Sequence, residues 1–410
     1  MSQSKAKRIM IIGGGAEGLD VLEKAHALGL NVVCINKKKH FREAFLPYVE
    51  HVVLTDYEHV ENLVAIARGL HQLFPLDGVI SLTEASLLPT AYVCEALGLR
   101  GNTVESVRRL KDKVSMRRRL DEVGLSPVVA RVGERLEDIH AFVAEHGLPF
   151  VMKPTDASGS LGIFKIFEPS QIAPAWEAFQ QLKLPRFLLE EFLDGPEISV
   201  ETLSFHGRHV MVTATDKLIT EDTCVEIGHA VPAPLDAGTR EEVYALVHAF
   251  LDAMGLKEGP AHTELKLTKK GPRIVEGHNR NPGGRVTELV TLACGVDIKS
   301  TALAWACGMG EPLVEVPTPK GGAAIRHVQP IPGTVREISG LEALKQEEGC
   351  VDVRVLVKVG GRVNPMRSGE DRIGHVIARG ATVQEAILRG EQLASRVRIL
   401  TDPDRAAVAA

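Results

Sequence analysis

The 410-residue sequence lacks several features that would assign it to a class at once. No apolar run approaches the ~20 residues that a membrane helix needs, and the polar start, Met1 to Arg8, leaves no room for the apolar segment of a signal peptide. The formal net charge is only −5, so no chain-wide positive field attracts nucleic acid or anionic lipid. We therefore expect no nucleic-acid partner and no membrane partner.

Cysteine is scarce, and its six copies are scattered without a C-x-x-C pair. This argues against a disulfide framework or a zinc knuckle and fits the reducing cytoplasm. An H-E-x-x-H zinc helix and a G-x-S-x-G nucleophile elbow are also missing. What is present is an ordinary globular composition, 44% hydrophobic and 25% charged, in a chain long enough for two or three subdomains.

The first 100 or so residues alternate short apolar runs with amphipathic helical patterns. Such alternation predicts βαβ units and a parallel sheet that is covered on both faces. Further along, short β-like runs separated by Gly- and Pro-containing turns indicate mixed α+β structure. After the Pro-rich residues 311–319, a last α+β segment runs to about residue 400.

A glycine turn, Gly13-x-Gly15-x-x-Gly18, lies between the first apolar run and the first helix. It formally matches the dinucleotide fingerprint, but that site needs an acid after the second strand to hold the ribose. The sequence there is Asn36-Lys37, with two further lysines. An NADP site using these lysines and a plain turn that lets the helix pack close to the sheet both remain open.

Two lysines are candidates for binding a phosphate. Lys113 lies in the first turn of a predicted helix, where a cation opposes the helix dipole. Lys153 ends the apolar run Val-Met-Lys-Pro and is followed by small residues at 155–162, whose backbone N–H groups could approach an anion. Taken singly, a solvated lysine and an ordinary glycine turn explain these features equally well.

Acidic residues recur in the second half of the chain. A strand at 188–193 carries Glu190 and Glu191 and is followed by Glu197, so it could supply an apolar slot for adenine and a carboxylate for ribose. A hairpin over residues 263–276 would bring Glu264 and Glu276 onto one face. Two carboxylates ~4 Å apart repel by ~4 kcal/mol at an effective dielectric near 20. Solvent exposure, protonation of one acid or a hard cation such as Mg²⁺ between them relieves this repulsion.

The order of these motifs resembles the ATP-grasp superfamily over roughly residues 8 to 400. Within it, the chain is most similar to the L-amino acid ligases (dipeptide synthetases), because of Glu226-Ile-Gly-His229-x-x-Pro and Glu276-x-His-x-Arg280-x-x-Gly-Gly. The resemblance implies an N-terminal doubly wound αβ domain at 1–110 and an ATP-grasp domain at 111–320 with a lid subdomain at 126–193. A C-terminal α+β closing domain is implied at 321–402.

The resemblance also implies ATP and Mg²⁺ (or Mn²⁺) as cofactors and assigns residues to the nucleotide. Its phosphates would be contacted by Lys113 and Lys153, and a loop of Ser158, Gly159 and Ser160 would close over them. Adenine would bind at a hinge formed by Glu190, Glu191 and Leu193. The ribose would bind the carboxylate of Glu197.

The remaining implied residues serve the metal and the substrates. Glu264 and Glu276 would bind Mg²⁺, and Arg280 would steady an acyl phosphate. The substrates would be held by Glu226, His229, Arg280, Gly284 and Arg285. This chain has His278 where many members have asparagine, so Asn279 is the alternative metal ligand, and Arg285 stands where some relatives carry an acid.

The sequence thus predicts an ATP-dependent carboxylate–amine ligase that works through an acyl phosphate on small molecules, amino acids above all, and releases ADP and phosphate. A cytoplasmic homodimer is the family's usual form. The alternatives are another ATP-grasp activity, namely a carboxylase or a ligase of purine or carrier-protein substrates, and, in a different class, an NADP-binding oxidoreductase or a non-catalytic nucleotide-binding module.

Overall fold

Four β-sheets organise the chain in a computed structural model. It describes residues 6–14, 18–81, 83–155, 162–220 and 225–403. The predicted loop residues Ser158, Gly159 and Ser160 lie outside these ranges, as do Gly15 and Cys224.

The N-terminal region is a parallel sheet of order β3-β2-β1-β4, as the alternating sequence pattern predicted. Helices cover both of its faces and form two separate apolar cores, so the doubly wound prediction is confirmed. The elements are β1 (Arg8–Ile12), α1 (Gly18–Ala27), β2 (Asn31–Asn36), β3 (His51–Leu54), α2 (Val60–Leu73), β4 (Gly78–Ile80), α3 (Leu87–Leu97), α4 (Val104–Lys111) and α5 (Lys113–Glu122).

A second, antiparallel sheet of order β5-β8-β6-β7 falls within the range predicted for the lid. Its own core is rich in aromatic side chains, with Phe142, Phe150 and Phe187 completely buried. The elements are β5 (Ala130–Gly133), α6 (Leu136–His146), β6 (Phe150–Pro154), β7 (Phe164–Ile166), α7 (Ile172–Gln181) and β8 (Phe187–Glu191).

The largest sheet has eight antiparallel strands in the order β13-β12-β9-β10-β11-β14-β18-β16. Its first part, with the helices that follow, comprises β9 (Glu197–Phe205), β10 (Arg208–Ile219), β11 (Glu226–Val231), α8 (Ala237–Met254), β12 (Gly259–Thr268), β13 (Gly271–His278), α9 (Val286–Cys294) and α10 (Ile298–Ala306).

The C-terminal segment contributes strands to two sheets. Its strand β14 pairs with β11, so β14, β16 and β18 extend the large sheet, whereas β15, β17 and β19 form a sheet of their own. The elements are β14 (Gly322–His327), β15 (Gly333–Ser339), α11 (Leu341–Leu344), β16 (Cys350–Val355), β17 (Arg362–Val363), β18 (Gly374–Gly380), α12 (Val383–Arg396) and β19 (Arg398–Pro403).

The large sheet has two chemically different faces where β9, β10 and β12 pair. Side chains alternate between the faces, and residues that pair across strands share one. The pairs Glu197–Lys266, Ser199–Glu264 and Glu201–His262 therefore project to one side. The intervening residues, such as Ile198, Val200 and Leu265, pack against α8 in the main core. The sheet therefore has one polar face and an opposite apolar face that packs on the core.

Among the described residues, no single helix has the length and hydrophobicity of a membrane span, and only the bent pair α9–α10 meets that test, by length and composition alone.

Phe250 supports the hairpin from below. This completely buried ring on α8 lies so close to Gly277 that a Cβ added there would come within 2.4 Å of it. Phe250→Ala should lower the free energy of unfolding by about 3–5 kcal/mol, because it leaves a cavity that the packed strands cannot fill. Chemical denaturation measures this loss. Leu388→Ala, at a side chain 58% exposed, is the control, and an equal loss in both variants would contradict the assigned core.

Candidate active site

A cavity of about 310 Å³ lies between the lid sheet and the polar face of the large sheet. Gly369 and Arg372 of the C-terminal segment also line it. It brings together most of the residues that the sequence singled out: Lys113, Lys153, Glu190, Glu191, Leu193, Glu197, Glu226, Glu264, Glu276, Arg280 and Gly284.

The two hairpin glutamates stand directly opposite each other on β12 and β13. Their side chains are only 15% and 18% exposed, so they are not the solvated hairpin acids of the alternative interpretation. The hairpin strands are longer than the sequence indicated and are joined by a two-residue turn, Lys269-Lys270. The register nevertheless pairs Glu264 with Glu276, as predicted.

Cations keep both of these carboxylates ionised. Burial alone would raise the pKa of Glu264, but the charge of Lys217 and a hydrogen bond from His262 lower it to about 2 against the repulsion of Glu276. Burial would likewise raise the pKa of Glu276, and the charges of Lys113 and His278 hold it well below its usual value. The Lys113 Nζ lies 2.9 Å from Glu276 Oε2.

The two carboxylates fit a Mg²⁺ ion that would take its remaining ligands from outside the protein. Within the described ranges, no group of three or more His, Cys, Asp or Glu side chains is arranged to hold a metal alone. Two ionised carboxylates facing a cavity nevertheless offer the hard oxygen ligands that Mg²⁺ prefers, and Mg²⁺ commonly takes its other ligands from phosphates and water.

His262 and His278 flank the two glutamates. His262 lies between Glu201 and Glu264, with nitrogen–oxygen distances of 2.9 Å and 3.1 Å. Burial lowers its pKa, but the charge of Glu201 and bonds to both acids raise that pKa to about 9. His278 Nε2 lies 3.1 Å from Glu276 Oε1. The sequence analysis did not identify His262, although its position two residues before Glu264 on the same strand places both side chains on one face.

Lys153 belongs to a buried cluster of three charges. Its Nζ lies 2.6 Å from Glu190 Oε2, and Arg117 Nε donates to the other oxygen of the same carboxylate. Burial would raise the pKa of Glu190, but these two cations lower it to about 2. Arg117 also donates to the carbonyl oxygens of Ile274 and Val275. A run of three arginines such as residues 117–119 is ordinarily a solvated face, yet Arg117 is only 6% exposed.

The predicted hinge runs from Glu190 to Leu193. The carboxylate of Glu190 serves the charge cluster, while Glu191 Oε1 accepts a hydrogen bond from the Val129 backbone N–H at 2.9 Å. With both side chains occupied, the backbone of this segment and the side chains of Phe192 and Leu193 form the cavity wall available to a flat ring.

Glu84 connects the N-terminal domain to this site, and the sequence did not identify it. Its Oε2 accepts from Arg280 Nε at 2.7 Å and lies 3.0 Å from His278 Nδ1. Burial would raise the pKa of Glu84, but the bond and charge of His278, with Arg280, hold it far below its usual range. Arg280 is therefore oriented by a carboxylate 196 residues away in the chain.

Arg372 is a second contribution that the sequence missed. It donates from Nε to the Glu226 backbone oxygen at 2.9 Å and from Nη2 to Glu226 Oε2 at 2.8 Å. Both carboxylate oxygens of Glu226 thus have cationic partners, since Lys217 Nζ lies 2.9 Å from Oε1. His229 is buried nearby, and neither of its ring nitrogens has a hydrogen-bond partner among the described residues.

Three predicted residues that the structure describes do not line the cavity: His229, Asn279 and Arg285. His229 is buried next to Glu226, with its Nε2 3.7 Å from Glu226 Oε2. Asn279 borders a separate cavity beside Trp305 and Arg100, so His278, not Asn279, stands next to Glu276. Arg285 directly precedes α9 and directs its guanidinium to Glu288 and Asp352. A substrate contact of Arg285 stays a prediction.

The glycine turn at Gly13 serves packing. A Cβ at Gly13 would come within 2.5 Å of Ser86 Oγ, so the absence of a side chain lets the turn lie against the segment that carries Glu84. Lys37, which the NADP interpretation needed, lies 2.9 Å from Asp56 and 2.8 Å from Glu58.

Three family models match consecutive parts of the chain. The ATP-grasp N-terminal domain matches residues 22–101, the ATP-grasp domain matches residues 146–288, and the L-amino acid ligase C-terminal domain 2 matches residues 326–402. The expected resemblance to ATP-grasp proteins, and to L-amino acid ligases among them, is confirmed.

Individual relatives agree with these models. Alanine–anticapsin ligase of Bacillus subtilis (strain 168) is 26% identical over 274 residues, 61% of this chain, which spans only 57% of that protein. The crystal structure of L-amino acid ligase from Bacillus licheniformis superposes with a TM-score of 0.84 at 26% identity, covering 98% of this chain and all of that one. Phosphoribosylglycinamide synthetase from Anaerococcus prevotii shares the fold, with a TM-score of 0.74 at 17% identity over 97% of this chain and 100% of that one.

His327, on β14 beyond Arg372, generates a pH-dependence prediction. Burial, then the charges of Arg372, His229 and His375, lower its pKa to about 3. Because the unfolded chain binds this proton near pH 6.5 and the folded chain does not, stability should fall as the pH drops below ~6.5, by up to about 1.4 kcal/mol per unit until the pH approaches 3.

His327→Gln should remove the contribution of this one proton to the slope of stability against pH. Urea denaturation between pH 7 and pH 5 measures it. His140→Gln, at an exposed histidine, controls for the loss of one imidazole. The same pH dependence in both variants would contradict the burial of an uncharged His327.

Proposed function

Because this chain belongs to the ATP-grasp superfamily, we propose that it is an ATP-dependent carboxylate–amine ligase that joins amino acids. The observation that carries the proposal is the facing pair Glu264 and Glu276, with Lys113 beside it in the same cavity. Opposed acids next to buried lysines suit a nucleotide triphosphate and its metal better than any uncharged ligand.

In the first step, a substrate carboxylate attacks the γ-phosphoryl group of ATP, and ADP leaves. Negative charge spreads over the transferred group, so preorganised cations lower the barrier. Lys113, Lys153 and Arg280 supply these cations at the cavity wall. Magnesium held by Glu264 and Glu276 would neutralise phosphate charge and orient the γ-phosphoryl group.

In the second step, an amine displaces phosphate from the acyl phosphate and forms the amide bond. Arg280, which Glu84 holds through a hydrogen bond, would steady the acyl phosphate. Glu226, which lines the cavity, and His229, whose Nε2 lies 3.7 Å from Glu226 Oε2, would orient the amine together. The acyl phosphate hydrolyses easily, so a covered site protects it. The predicted loop at Ser158, Gly159 and Ser160 would provide the cover.

Amino acids are the substrate class we propose, because both alanine–anticapsin ligase and L-amino acid ligase are named for such chemistry and resemble this chain. Small molecules would be the only partners, apart from a second copy of the chain in a homodimer. The five described cysteines are unpaired thiols, which supports a cytoplasmic location.

A substrate-array assay tests the function. Pairs of amino acids are incubated with ATP and Mg²⁺, phosphate release is followed, and products are identified by mass spectrometry. We expect release that depends on both an amino acid and ATP, with a dipeptide as product. Release with bicarbonate, formate or a purine precursor alone would instead identify another ATP-grasp activity.

Glu276→Ala should abolish this amino-acid-dependent ADP release at saturating Mg²⁺, because it removes one of the two metal-binding carboxylates. Glu342→Ala, at a side chain 84% exposed, is the matched control and should keep full activity. Near wild-type turnover of Glu276→Ala would refute the metal assignment.

Lys153→Ala should weaken ATP binding roughly 100-fold, equivalent to about 2.7 kcal/mol, since it removes a buried charge facing the phosphates. Glu190 keeps Arg117 as a partner, so the fold should survive. Calorimetry measures the dissociation constant for ATP, with the exposed Lys38→Ala as control. An unchanged constant in Lys153→Ala would exclude this lysine from the site, and tight NADPH binding that is lost in Lys38→Ala would favour the oxidoreductase alternative.

A further inference from the structure

One buried ammonium holds three carboxylates that the proposed function assigns to three different ligands. Lys217 Nζ lies 2.9 Å from Glu197, 2.9 Å from Glu226 and 2.7 Å from Glu264. These acids are the proposed partners of the ribose, the substrate and the metal. The Lys217 side chain is only 2% exposed.

Lys217 is fully engaged in this arrangement. An ammonium group has three donors, and three carboxylate oxygens lie within hydrogen-bond distance of it. Three carboxylates in contact favour the charged form of a lysine, so Lys217 is an ammonium ion at the cavity wall.

Each of the three acids also has a second basic side chain in contact. Glu197 lies 3.2 Å from Lys266 Nζ, Glu226 lies 2.8 Å from Arg372 Nη2, and Glu264 lies 3.1 Å from His262 Nε2. Withdrawal of Lys217 would therefore leave each carboxylate with one basic neighbour. The arrangement therefore allows the Lys217 ammonium to move away from the three carboxylates.

A divalent cation on Glu264 conflicts with the present position of Lys217. The ammonium lies 2.7 Å from the very carboxylate that would hold the metal, and like charges so close together repel. The ammonium contacts Oε1 of Glu264, so a metal that uses this oxygen competes with Lys217 for it.

We propose that Lys217 is a resident counter-ion that occupies the metal position of Glu264 and is exchanged for Mg²⁺ when the site fills. The proposal rests on the proposed function, since it takes Glu264 as a metal ligand. It makes Lys217 a positioning residue: it keeps three ligand-binding acids together and ionised before the ligands arrive, and it competes with the metal for one of them.

The test compares stability with metal affinity in Lys217→Met. Binding of Mg²⁺ alone, measured by calorimetry without nucleotide, should become about tenfold tighter, because the competing charge is gone. The melting temperature without metal should fall, because three acids lose their shared cation, and added Mg²⁺ should restore more of it than in the wild type. A merely structural role would weaken stability and metal binding together.

Two further variants are matched controls. Lys217→Arg keeps the charge and should retain wild-type Mg²⁺ affinity within about twofold. Lys266→Met removes a lysine that contacts Glu197 but not Glu264, so it should also leave Mg²⁺ affinity within about twofold. Unchanged or weaker Mg²⁺ binding in Lys217→Met would overturn the proposal.

Should Lys217→Met fail to fold, NMR of the lysine side-chain ammonium groups in the wild type decides the matter. The Lys217 signal, assigned by its loss in Lys217→Arg, should shift on addition of Mg²⁺, and a stationary signal would overturn the exchange. Neither measurement needs turnover. A failed ligase assay and a failed exchange are therefore separate results.

Discussion

Charge compensation in a buried cavity is the constraint on which this molecule depends. Glu190, Glu264 and Glu276 are largely withdrawn from water, where an isolated carboxylate would become protonated. Each stays ionised because a lysine or an arginine contacts it. A ligand that enters must therefore exchange one set of ion pairs for another, and a triphosphate with its metal is a ligand that brings charges of both signs.

The sheet beneath the cavity supports this cluster of buried charges. Strands β9, β10 and β12 direct polar residues upward and apolar ones, such as Val200 and Leu265, into the core on α8. Position along a strand thus decides whether a residue serves the fold or the site. The same rule explains Lys217: with Thr215 and Thr213 it occupies alternate positions of β10, opposite a run of acids and hydroxyls on β9.

Local sequence was sufficient for the features whose partners are close in the chain. The hairpin pattern predicted that Glu264 faces Glu276 because only a short turn separates them, and Lys113 was recognisable from the helix start at Asp112, whose side chain caps α5. Glu84 and Arg372 escaped notice because their partners lie 196 and 146 residues away. A run of three arginines is usually solvated, and only the fold reveals that Arg117 turns inward to Glu190.

The pairing of β14 with β11 has a consequence for the limits of the catalytic unit. A chain cut near residue 320 would leave β11 as an open edge, with unpaired backbone N–H and C=O groups beside buried apolar residues such as Val231. Such an edge readily recruits strands from neighbouring molecules. The final ninety residues thus protect the protein from self-association as well as lining part of the cavity, so a minimal fragment lacking them would be expected to aggregate.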